Sequence, residues 1–143
     1  MKRSLVGFFS MLATTLLVAA PGLCAQNRLD AYVPFDFSAG QKVMVEGNYR
    51  VSSISESLDL VQNEATHSAA YLIKAVRVQS AGEHGPMLVF HRFGNQYFLS
   101  EIWDGRSSLG IRLPESKREK ELSEEARLTN DGPQTVIVAM NWQ

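Results

Sequence analysis

Cysteine is nearly absent: the chain has one, Cys24, in 143 residues. It falls within the first 25 residues, so the chain beyond them has no disulfide, no thiol nucleophile and no cysteine metal ligand. Charge of one sign is also lacking. The two basic residues Lys2 and Arg3 sit at the N-terminus, which leaves 12 basic side chains against 15 acidic ones and a net near −3. Such a balance has no concentrated basic face for nucleic acid and no polybasic patch for an anionic membrane surface. Chemical motifs are missing too. There is no Gly-x-Gly-x-x-Gly, no phosphate-cradling loop and no Gly-x-Ser-x-Gly elbow. None of His67, His84 and His91 has a second ligand two or four residues on, so no metal site is expected. No cofactor is implied, and there is no internal repeat, low-complexity tract or interdomain linker.

What is present begins with an address. Met1-Lys2-Arg3 is a basic start, Leu5 to Ala20 is apolar, Pro21 and Gly22 break the run, and the small Ala25 precedes Gln26. That order is the pattern of a secretory signal peptide over 1–25, cleaved near Ala25. The apolar run is too short and too one-sided for a good membrane span, which takes about 20 apolar residues. Residues 26–143 then form a single β-rich domain, secreted or periplasmic, with no stable transmembrane anchor. Lipid attachment at Cys24 fits poorly, because the bulky Leu23 directly precedes it.

Strand-like segments separated by tight turns fill most of the remainder. They run over Ala31–Phe37, Lys42–Val45, Tyr49–Ile54, Leu58–Gln62, Ala69–Val78, Ser107–Leu113 and Gln134–Met140. Pro34 inside the first of them calls for a sheet edge or a bulge. The clearest element is a hairpin, Met87–Phe93 and Gln96–Trp103, joined by Gly94-Asn95, a two-residue turn in which Gly supplies positive φ. That turn sets Arg92 opposite Tyr97, His91 opposite Phe98, Phe90 opposite Leu99 and Leu88 opposite Glu101. One face would carry Leu88, Phe90, Arg92, Tyr97, Leu99, Glu101 and Trp103. The other would carry Met87, Val89, His91, Phe93, Phe98, Ser100 and Ile102. Both are mainly apolar, as in a hairpin covered on both sides. Glu115–Leu128 is the one helical stretch, with Pro114 at its start and a thin apolar stripe at Leu122 and Ala126. The fold class is therefore all-β, a small antiparallel barrel or sandwich of about seven to nine strands with one late surface helix.

The spacings Val33-Pro34-Phe35-x-Phe37, Gly47-x-Tyr49-x-Val51 and Leu88-x-Phe90-x-Arg92-x-Gly94-x-x-Tyr97-Phe98-Leu99-x-x-Ile102-Trp103 resemble those of a group of small secreted bacterial proteins without an assigned function. The resemblance covers most of residues 26–143. It implies a β-rich envelope protein and transfers no catalytic residue.

The polar residues of the hairpin are the candidate ligand contacts: Arg92, Tyr97, Glu101 and Trp103 toward the interior, with His91 beside them. The structural alternative stacks the Arg92 guanidinium on Tyr97 and pairs it with a carboxylate, and leaves His91 satisfied by a neighbour. The expected function is a non-enzymatic structural or interaction module of the cell envelope. A small barrel binding an apolar or amphipathic ligand is the alternative. A small outer-membrane barrel or a hydrolase using His91 and a carboxylate stand further off. A ligand site should be an apolar cavity of a few hundred cubic ångströms, and an enzyme should hold His91 against a carboxylate in an open cleft.

Overall fold

The computed structural model describes residues 28–82 and 84–143, so the expected signal peptide and Cys24 lie outside the described residues. In chain order the strands are β1 (Arg28–Val33), β2 (Phe37–Ala39), β3 (Lys42–Met44), β4 (Gly47–Ser55), β5 (Leu58–Asn63), β6 (Ala69–Ile73) and β7 (Val76–Gln79). Then follow β8 (Met87–Phe93), β9 (Gln96–Trp103), β10 (Leu109–Arg112), the helix α1 (Lys117–Thr129), β11 (Gln134–Ala139) and β12 (Asn141–Trp142).

They build two sheets. The first has the order β12-β1-β4-β5-β6, and the second β11-β8-β9-β10-β7. The β2–β3 hairpin joins the second through one parallel bridge, Ser38 to Phe98. All other pairings are antiparallel. The arrangement is sandwich-like and the sheets do not close into a barrel, which corrects that half of the expected fold class.

Two expected strands each prove to be two, and β12 lies past the last expected strand, so the described residues hold more than nine. Pro34 has no N–H to donate, so β1 stops at Val33 and β2 resumes at Phe37. The stretch 69–78 divides at Lys74-Ala75, with β6 in the first sheet and β7 in the second. At Met140, which is buried, the chain leaves β11 in the second sheet and returns as β12 in the first. These two corners stitch both sides of the sandwich. The helix begins later than expected. Its cap is Ser116, whose hydroxyl accepts from the Glu119 N–H at 3.1 Å, and Pro114 stands before the cap.

The central hairpin starts as its turn dictates. Gly94 has φ 59° while Asn95 stays negative, the pattern of a type II′ turn. Arg92 faces Tyr97, His91 faces Phe98 and Phe90 faces Leu99. Beyond that pair the register shifts. Val89 lies opposite Glu101 and Leu88 opposite Ile102, not Glu101, which leaves Ser100 as the extra residue of a bulge. The Ser100 carbonyl instead accepts from the Leu113 N–H at 2.8 Å. One inserted residue exchanges the faces of everything after it. Ile102 turns inward to the core, while Glu101 and Trp103 turn outward.

The core fills the space between the sheets. Val33, Tyr49, Val61, Leu88 and Phe90 are fully enclosed there. Phe37 meets Tyr49 and Phe90 edge-on at centroid distances of 5.1 and 5.2 Å, and Phe35 stacks on Tyr97 at 3.9 Å. Val89, Phe98 and Trp103 are also buried, yet lie outside this cluster, on the far face of the second sheet. The hairpin is thus covered on both sides, as its composition requires.

Candidate functional site

One row of cross-strand neighbours defines the inner face of the second sheet: Val138, Leu88, Ile102, Ile111 and Arg77, each paired with the next. Directly opposed residues share a face. The first four belong to the core or pack against it. The fifth is a cation, and it starts from the face that looks at the first sheet. Across from it that sheet presents the neighbours Trp142, Leu29 and Val51, with Ser53 and Asp59 paired further along. Between the two rows, at one end of the sandwich, lies an open cleft of about 330 Å³ with apolar walls from Leu29, Val51, Ile102, Leu109 and Ile111.

Charge is arranged unevenly in this cleft. Asp59 is buried, and Lys74 reaches it from the corner between β6 and β7, with Nζ 3.0 Å from Oδ1. The same ammonium donates to Ser53 Oγ at 2.7 Å and to the Ser55 carbonyl at 3.0 Å. All three of its donors are in use, so this buried pair is internally satisfied. On the opposite side the Arg106 guanidinium lies over the Trp142 ring, 4.1 Å from its centroid. Asp104 caps its own loop by accepting the Arg106 backbone N–H at 2.9 Å. Arg77 is exposed and has no hydrogen-bond or ion-pair partner among the described residues. The cleft therefore joins an apolar floor to a net cationic rim.

The residues singled out from the sequence do not form one site. Arg92 does stack on Tyr97, its guanidinium carbon 5.5 Å from the ring centroid, while its Nε donates to the Gly94 carbonyl at 2.7 Å. Both sit near the turn on the core side. Glu101 and Trp103 do not line that side with them, because the bulge at Ser100 has turned both to the opposite face. Glu101 is the partner of Arg112, not of Arg92, at 2.8 Å to Nη2 and 3.0 Å to Nε. Its other oxygen accepts from Trp103 Nε1 at 2.9 Å.

His91 has a neighbour that satisfies it. Its Nδ1 stands 2.9 Å from Oε1 of Glu119, which reaches down from α1. The hydrogen bond that the imidazole donates to this carboxylate raises the His91 pKa above its ordinary value. Burial opposes the shift, and the charges of Glu119, Glu101 and Glu115 add to it. The Glu119 side chain is only 5% exposed and His91 29%, so the pair is a joint between helix and sheet and offers no open carboxylate to a substrate. Glu119 is the one buried residue of the helix proper. Leu122 and Ala126 are half-buried, and the thin apolar stripe thus shares its work with a charged pair.

Glu119, Asp59, Lys74 and Arg77 are not among the site residues expected from the sequence. For Glu119 a signal existed: Ser116-x-x-Glu119 is the spacing of a capping box, and the carboxylate of such a residue points back toward the chain. For Asp59, Lys74 and Arg77 no local signal exists, because a change of sheet brings them to the cleft. Comparison with family models, with curated proteins and with solved structures finds no match for this chain.

Proposed function

We propose that this protein is a non-enzymatic module of the bacterial cell envelope, secreted or periplasmic after loss of residues 1–25, that acts by binding a small apolar or amphipathic molecule between its sheets. The observation that carries the proposal is the cleft of about 330 Å³, which matches the size of small-molecule sites, about 300–1,000 Å³ with mainly apolar walls and a few polar groups. The core beside it is closed around Val33, Tyr49, Val61, Leu88 and Phe90, as in any well-packed domain. The leader-like start and the resemblance to small secreted proteins support the address. The closed environment of the His91–Glu119 pair favours binding over catalysis.

The test is native mass spectrometry of the processed protein taken from its own envelope. A discrete added mass that disappears on denaturation is the expected result. A bare monomer would sink the binding function and leave a purely structural role, for which the filled core speaks. A multiple of the monomer mass would move the role to self-association.

A further inference from the structure

We infer that the cleft selects single-chain anionic amphiphiles, holding the charged head at Arg77 and the tail against Leu109, Ile111 and Trp142; this rests on the proposal that the cleft is a binding site. Two independent observations lead there. The first is the row Leu88, Ile102, Ile111, Arg77, whose pairing aims an arginine into the space between the sheets at the point where the apolar floor ends. An edge-strand residue on an outer face would simply be solvated, whereas this one begins on the inner face.

The second is the state of the neighbouring charges. Lys74 has three partners, one of them the buried Asp59, and cannot turn to a ligand without leaving that carboxylate unpaired. Asp104 is engaged with the Arg106 backbone, and the Arg106 guanidinium with Trp142. Arg77 alone among these cations has no partner within the described residues. A planar guanidinium presents paired donors that suit carboxylate or phosphate. An alkyl chain beneath it would cover the exposed Leu109 and Trp142 and the half-buried Ile111, over a floor formed by Leu29, Val51 and Ile102. A cationic head would meet Arg77 and Arg106 as like charges, and the buried Asp59 is already paired with Lys74.

The test uses the processed full chain and three probes with one tail: decanoate, decanol and decyltrimethylammonium, titrated calorimetrically below their micelle concentrations. Decanoate is expected to bind one per chain, about tenfold or more tighter than decyltrimethylammonium, as a charge-assisted hydrogen bond predicts. Arg77→Gln, an exposed edge position that should not disturb folding, is expected to lose about tenfold for decanoate and nothing for decanol. Equal binding of all three probes, unchanged by Arg77→Gln, would overturn anion selection and leave the cleft as a plain apolar site. Binding of none would overturn the binding function itself. Co-sedimentation with phosphatidylglycerol vesicles that decanoate fails to compete away would also overturn the inference, by moving anion recognition to a bilayer surface.

Discussion

The two sheets share one core but treat their outer faces in opposite ways. The outer face of β1, β4, β5 and β6 meets water. Asp30 and Glu64 flank Arg50 there at 3.4 and 2.5 Å, and Tyr32, Tyr71 and Ile73 are more than half exposed. The outer face of β8 and β9 is roofed, with Val89, Phe98 and Trp103 buried and α1 tied down through His91 and Glu119. Alternation along a strand reports whether a face is wet. It reads cleanly in β1, where Leu29, Ala31 and Val33 point inward, and it vanishes in the hairpin, where both sides are apolar. A sheet without alternation is one with cover on both sides; here a short helix held partly by charge meets the turn end of the hairpin, and His84 stands edge-on to Trp103 at 5.9 Å.

The comparison can be broken most forcefully from within. Phe90→Ala removes an enclosed ring from the core and should cost roughly 3–5 kcal/mol in urea unfolding. A loss below about 1 kcal/mol would mean the inner face is not the core. On the roofed face, Gly110→Ala should cost about 1–3 kcal/mol, because an added Cβ would stand 2.5 Å from the Trp103 indole. An unchanged melting temperature would place that indole elsewhere. Gly94→Val forces a β-branched residue to φ 59°, and a loss of about 1–2 kcal/mol is expected; a variant as stable as the parent would refute the two-residue turn.

The joint between helix and sheet should show itself as a pH dependence. Glu119 raises His91 above 6.5, so the stabilisation that the charged imidazole gives is fully present below the unfolded value. It should fade as pH rises through the higher folded value. Urea midpoints measured across that window should fall for the parent and stay flat for Glu119→Gln. Parallel curves would show that the pair does not hold the roof. The smallest effect belongs to the wet face, where Tyr71→Ser should shift stability by no more than about 0.5 kcal/mol. A large loss would reveal a cover on that face.

The helix, the hairpin turn and the core strands were legible in the sequence because each is written in nearest-neighbour chemistry. Gly94-Asn95 specifies its own turn, and Pro114 with the charged run after it signals the helix, although the cap at Ser116 and the start of β1 at Arg28 lie outside that reading. The candidate site was legible only in part. Arg92 does stack on Tyr97, a contact between directly opposed residues. Glu101 and Trp103 were assigned to the wrong face because a single extra residue at Ser100 reverses the alternation, and Ser100 differs in no local way from any other strand serine. Arg77 shows the same limit. Read as one strand, 69–78 puts Arg77 on the same side as the exposed Tyr71 and Ile73. The switch of sheets at Lys74-Ala75 turns it toward the cleft.

Amino-acid order by itself determined the class of fold, the absence of cysteine chemistry beyond residue 25, and which segments pair locally, since these depend on periodicity, turn stereochemistry and composition. Tertiary structure decided where the strands change sheet, which face each polar side chain takes past the bulge, and that Arg77 rather than Arg92 stands at an open apolar cleft. The physical reason is distance along the chain. Register beyond a bulge and the choice of sheet are set by packing between residues far apart in sequence, such as Asp59 with Lys74 and Ser100 with Leu113, and no short window of sequence contains both partners.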